Sequence, residues 1–99
     1  MLYIVNKSSA SGNALSECLS RTTVGDVVLL IENAVYAATL AEEESPFKYL
    51  EKGIRVAVLL PDLTARGLTA KQCIEGVESV DYVGFVELVE SNKVIRSWF

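Results

Sequence analysis

Val27-Val28-Leu29-Leu30-Ile31, followed at once by Glu32-Asn33, is the stretch on which the fold turns. Five aliphatic residues without a polar alternation describe a strand covered on both faces, because a strand with one wet face shows a period of two. A second run of the same kind, Ile54-Arg55-Val56-Ala57-Val58-Leu59-Leu60, precedes Pro61-Asp62. Shorter apolar runs at Leu2–Val5, at residues 77–80 and at residues 94–95, with Trp98 beyond, complete a set of five. Between them lie segments with helical spacing. Ala14, Leu15, Cys18 and Leu19 form one stripe, with Ser11 or Asn13 placed to cap its start. Residues 34–44 are rich in Ala and Glu and predict a helix that ends before Ser45-Pro46, since Pro46 blocks its continuation. Phe47, Tyr49 and Leu50 predict a further short turn ahead of Lys52-Gly53. Residues 64–67 and 69–74 predict two short helical pieces broken at Gly67, and Tyr82, Phe85, Val86 and Val89 predict one buried helix face after the fourth strand.

Strands alternating with helical crossovers predict an α/β fold, a three-layer α/β/α sandwich with a mainly parallel sheet of about five strands. With no Pro/Gly/Ser-rich linker, repeat or low-complexity tract, residues 1–99 read as a single domain. Apolar residues make up 51% and charged residues 22% of the chain, which places it among globular sequences and not disordered ones. The net charge of −4 argues against a chain that binds a phosphate backbone by itself.

Histidine is missing altogether, which removes Ser-His-Asp and Cys-His catalysis, His-containing metal sites and the usual general base near neutral pH. No metal and no cofactor are expected. Chemistry within the chain falls to carboxylates, Lys, Arg, Tyr and the two cysteines, Cys18 and Cys73. These are too far apart for a CxxC pair. The opening Met1-Leu2-Tyr3-Ile4-Val5 lacks the basic start of a signal peptide, and no apolar run approaches the roughly 20 residues of a membrane span, so a cytoplasmic protein with reduced thiols is expected.

In an open parallel sheet ligands gather beyond the carboxyl ends of the strands. Polar residues follow four of the runs: Asn6-Lys7-Ser8-Ser9, Glu32-Asn33, Pro61-Asp62 and Asp81-Tyr82, with Arg66 in reach. One reading is a polar cleft or partner-docking rim. The other is that such loops are polar in any case and that Asp62 and Asp81 cap helices. The small polar loop after the first strand lacks the spacing of a phosphate loop. Cys18 is the more interesting thiol, yet its place in the stripe beside Leu15 and Leu19 makes it a core residue in the plain reading.

These landmarks resemble, in order and over essentially the whole chain, the DsrH/TusB family of sulfur-relay proteins within the DsrE/DsrF/DsrH-like superfamily. Leu2-Tyr3-Ile4-Val5-Asn6-Lys7-Ser8, residues 13–19 and residues 28–38 carry the first half of the likeness. Asp62-Leu63-Thr64-Ala65-Arg66-Gly67 resembles the family's D-L-x-A-R-G segment, Asp81-Tyr82-Val83-Gly84-Phe85-Val86-Glu87-Leu88 its D-Y-x-G-F-V-x-L segment, and Ser97-Trp98-Phe99 its aromatic end. The chain departs from the pattern at Ser9, where many members carry Pro, and at Asn33, where Asp is common.

The resemblance implies a small α/β subunit that assembles with DsrE/TusD-like and DsrF/TusC-like sister chains. The assembly passes persulfide sulfur to a DsrC/TusE-like carrier, for 2-thiolation of the tRNA wobble uridine or, in DsrH-type systems, for dissimilatory sulfur oxidation. The family's main sulfur-bearing cysteine is attributed to the DsrE/TusD-like subunit. Cys18 coincides with a cysteine of DsrH-type members and is the residue through which sulfur would pass here. Asn6, Lys7, Ser8, Glu32, Asp62, Arg66, Asp81, Tyr82 and Trp98 are the expected rim or partner residues. Two rival expectations stand beside this one: a purely structural assembly subunit without thiol chemistry, and a stand-alone ligand-binding domain. An apolar chain ending in Trp98-Phe99 is also expected to self-associate when alone.

Overall fold

Five parallel strands, β1 (Leu2–Val5), β2 (Val27–Leu30), β3 (Arg55–Leu59), β4 (Glu78–Val80) and β5 (Ile95–Trp98), form one sheet in the order β4-β3-β2-β1-β5. The structure is a computed structural model and describes residues 1–6, 18, 20–39, 53–92 and 94–98, with Trp98 placed by its backbone. All four strand pairs are parallel, in a register that sets Val5 beside Leu30 and Trp98, and Leu30 beside Val58. β1 and β2 are buried at every position and β3 at all but its first, as expected of strands covered on both sides.

The strand order dictates where the connections run. From β1 to β4 the chain steps three times in one direction, and from β4 to β5 it steps back past β1. Right-handed crossovers therefore put the first three connections on one face and the last on the other. The core divides accordingly. Tyr3, Val5, Val28, Leu30, Val56 and Val58 pack with Cys18, Ala34, Val35, Ala38 and Leu63 on one face. Leu2, Ile4, Val27, Leu29 and Ala57 pack with Leu88, Phe85 and Val89 on the other.

Helix α1 (Leu60–Ala65) starts directly from β3, with Pro61 in its first turn where a missing amide costs nothing. It thus begins four residues before the predicted piece and stops at Arg66, ahead of Gly67 with its φ of +72°. The segment after β2 is a 3-10 helix, Glu32–Thr39, in place of the start of the predicted helix. Its tight winding fits its partners: the Ala34 amide donates to the Ile31 carbonyl at 3.0 Å, and the Ala38 carbonyl accepts from the Ile74 amide at 2.8 Å. The predicted 69–74 piece contracts to a 3-10 turn, Ala70–Gln72, entered through reciprocal Thr69 and Gln72 capping bonds. The stripe residues Ala14, Leu15 and Leu19, the helix end near residue 44 and the Phe47–Leu50 turn lie outside the described residues.

Helix α2 (Tyr82–Ser91) corrects the predicted buried face. The face on the sheet is Phe85, Leu88 and Val89, spaced i, i+3, i+4. Tyr82, Val83 and Val86 lie on the outside, 63%, 65% and 51% exposed. Val86 is one residue from Phe85, about 100° around the helix, so both cannot face the sheet.

Candidate functional site at the carboxyl edge of the sheet

The parallel sheet brings Asn6, Glu32, Asp62 and Asp81 to its carboxyl edge, each just past a strand end. β2 and β3 are adjacent, so the loops that follow them meet. The Glu32 amide donates to Asp62 Oδ2 at 2.6 Å. Arg66 sits one turn after Asp62 and spans the same gap: its Nε donates to Asn33 Oδ1 at 3.0 Å and its Nη1 to the Asp62 carbonyl at 3.1 Å. Glu32 is the non-glycine residue with a positive φ, 49°, among the described residues. A side chain in this conformation costs about 1–2 kcal/mol, and the Asp62 bond holds it there. The Asn6 Oδ1, at the end of neighbouring β1, is buried and accepts no hydrogen bond among the described residues.

Asp81 is separate from this group. Its carboxylate accepts the Gly84 amide at 2.8 Å and caps α2, and Tyr82 follows on the exposed side of that helix. Trp98 lies in β5 beside Val5. Lys7 and Ser8 lie outside the described residues. The structure thus joins Glu32, Asp62 and Arg66 into one network and uses Asp81 as a cap. Asn33, which the sequence places on the rim with Glu32 but not among the residues expected to carry function, completes the network. Its signal in the sequence is its position directly after Glu32, where the strand-two loop must face whatever follows strand three.

The thiols lie elsewhere. Cys18 is fully buried against the sheet face formed by Tyr3, Val5, Val28 and Leu30. Burial, and then the Asp26 charge, push its pKa up to about 12. At neutral pH only about one molecule in 100,000 would carry the thiolate. Cys73 is half-buried, its Sγ 3.9 Å from the Thr69 carbonyl, and burial raises its pKa as well.

Residues 7–95 match the family model described as DsrH like protein. The chain belongs to the DsrH-like family. Membership carries a sulfur-relay-related role and implies participation in a DsrEFH-type complex. The fold of this DsrH-like chain is shared with protein Tm0979 from Thermotoga maritima, known from a solution NMR structure, at a TM-score of 0.68 and 24% identity over 94% of this chain and 95% of that one. It is shared also with the ychN protein from E. coli, known from a crystal structure, at a TM-score of 0.71 and 18% identity over 97% of each chain. No curated protein matches the sequence. Among the described residues no helix of this family member is long and apolar enough to cross a membrane.

Proposed function

We propose that this chain is the DsrH/TusB-like assembly subunit of a cytoplasmic sulfur relay, that it docks DsrE/TusD-like and DsrF/TusC-like sisters and a DsrC/TusE-like carrier, and that Cys18 is a packing residue. The relay serves thiolation of the tRNA wobble uridine. The observation that carries the assignment of roles is the complete burial of Cys18. In persulfide transfer an incoming thiolate attacks the terminal sulfur, one S–S bond forms as another breaks, and the donor leaves as a thiolate, without net oxidation. That step needs an accessible and ionised thiol. Cys18 is neither, so in this reading the transferring thiols belong to the partners. Assembly is supported by the outward side of α2, where Tyr82, Val83 and Val86 present an apolar strip that a monomer leaves in water.

Reconstitution with the sister subunits and the carrier tests the reading. Wild-type chain and a Cys18→Ala variant should support equal sulfur transfer to the carrier from a persulfide donor. Mass spectrometry should find no added sulfur on Cys18. Labelled sulfur on Cys18, with transfer lost in the variant, would make it a carrier. A requirement for the chain in sulfur oxidation, with tRNA thiolation intact when its gene is deleted, would move the destination to the dissimilatory pathway.

A further inference from the structure

Helix α2 carries two stripes. Phe85, Leu88 and Val89 lie on the sheet. Val83, Val86, Glu87 and Glu90, spaced i, i+3, i+4 and i+7, run along the opposite side, and all four are exposed. Tyr82, one turn before Val86, widens this outer stripe at its start. The helix leaves the end of β4 and returns toward the start of β5. The apolar half of the stripe therefore sits toward the carboxyl edge of the sheet and the acidic half toward the amino edge. α2 contains no Lys or Arg, and Lys93 follows only beyond its end. Neither Glu87 nor Glu90 has an ion-pair partner among the described residues. The two stand one turn apart, about 5–6 Å between their Cβ atoms, as like charges that destabilise a helix slightly until a cation comes between them.

We propose that this stripe docks a sister subunit, which lays across it a helix with apolar residues against Tyr82, Val83 and Val86 and with Lys or Arg residues one turn apart against Glu87 and Glu90. Docking of a sister here rests on the assembly role proposed above. Charge selects the partner. A second copy of the same face does not fit: antiparallel pairing about Val86 lays Glu90 over Tyr82, and parallel pairing lays glutamate over glutamate. In both cases carboxylates leave water without a cation, which is strongly unfavourable. Phosphate backbones and anionic lipid headgroups are repelled by the same carboxylates. A basic, apolar helix satisfies both halves of the stripe, its cations pairing with Glu87 and Glu90 while its apolar side chains cover the valines. Persistence selects a sister over the carrier. A carrier that comes and goes would leave Tyr82, Val83 and Val86 in water between visits, whereas a resident subunit keeps them covered.

Binding of the labelled full chain to the purified sister subunits, followed by sedimentation velocity at several salt concentrations, tests the surface. Val83→Ser with Val86→Ser should weaken binding at least about tenfold at every salt concentration. Glu87→Lys with Glu90→Lys should weaken it at least about tenfold at low salt. Glu87→Gln with Glu90→Gln should fall between and lose most of the salt dependence. All four side chains are exposed, and unchanged circular dichroism and thermal unfolding will show that the variants fold. Wild-type binding that every variant keeps would overturn the docking surface and leave the assembly role standing. No binding by the wild type would overturn both. Binding that responds to the valines but not to the glutamates or to salt would refute the basic partner. A dimer of the chain alone that the valine variant dissociates, or carrier binding lost while sister binding stays intact, would give the face to another occupant and overturn the proposal as well.

Discussion

The amide of Glu32 and the carboxylate of Asp62 meet at 2.6 Å, closing the gap between the loops that leave β2 and β3. One short bond does two things there. It satisfies an amide at the start of the 3-10 helix, and it pins a glutamate in the left-handed region at φ 49°. Arg66 then braces the same corner through Asn33, so the rim is a tied structure and not a set of independent polar loops.

Breaking this tie should be measurable. Asp62→Ala leaves the Glu32 amide without its acceptor and should lower unfolding free energy by about 1–2 kcal/mol. Glu32→Gly keeps the bond and relieves the backbone, and should raise stability by at most about 1 kcal/mol, because glycine costs more entropy on folding. Urea unfolding of both variants checks the pair. Equal destabilisation by the two would show that the Glu32 side chain matters and its backbone does not.

Gly84 stands where the D-Y-x-G-F-V segment brings α2 onto β4. A Cβ added there would lie 3.0 Å from the Cβ of Val80, an atom that no rotamer change can move. Gly84→Ala should therefore destabilise by about 1 kcal/mol or more, despite alanine's advantage of about 1 kcal/mol inside a helix. Asp81→Ala removes the cap on the Gly84 amide and should cost about 1 kcal/mol. Thermal unfolding by circular dichroism reads both, and a stabilised Gly84→Ala would mean that the helix and strand can separate freely.

Cys18 should resist alkylation in the native protein and react only when the chain unfolds, with Cys73, half-buried, modified first. A raised thiol pKa also has a defined sign in stability. The folded state holds its proton up to about pH 12, whereas the unfolded thiol releases it from about pH 9, so the contribution is complete below pH 9 and disappears as the pH climbs toward 12. Wild type should lose stability over that interval more steeply than Cys18→Ala, which at neutral pH costs about 1–2 kcal/mol in lost packing. Parallel alkaline limbs for the two proteins would show that the thiol is not shielded.

Asp26 works in the opposite direction. Burial pushes its pKa up, but the Thr23 amide at 2.9 Å, the Met1 ammonium at 3.1 Å and the Thr23 hydroxyl outweigh this and hold the carboxyl below its usual range. The contribution is therefore present above the unfolded value of about 3.9 and is lost as the pH falls through the lower folded value. Asp26→Asn should flatten the acid limb of the stability profile, measured by urea midpoints between about pH 2 and 6. It should also lower the Cys18 pKa by removing the charge that opposes the thiolate. A steeper acid limb in the variant would reverse the assignment.

The α/β class and the parallel sheet are legible in the sequence. Val27-Val28-Leu29-Leu30-Ile31 and the run ending at Leu60 have no polar alternation, and only strands buried on both sides tolerate that. The polar residues after four of the five runs already mark the carboxyl edge, because a parallel sheet puts all its strand ends together. The family likeness rests on the same short motifs, and residues 7–95 bear it out. Helical details were less legible: the outward side of α2 carries Tyr82 and Val86, apolar residues that the sequence spacing assigns to the buried face.

Tertiary structure decided the rest. That β5 returns beside β1, and so brings Arg96 next to Tyr3, depends on which sheet edge remains open and not on any pattern in the last strand. That Asp62 serves Glu32 while Asp81 serves its own helix depends on the neighbour each strand acquires, though both carboxylates follow a strand in the same way. The state of Cys18 is the plainest case. A stripe position suggests burial, but the height of its pKa sums desolvation in the core on one sheet face with the field of Asp26, and only the folded chain brings these to one sulfur atom.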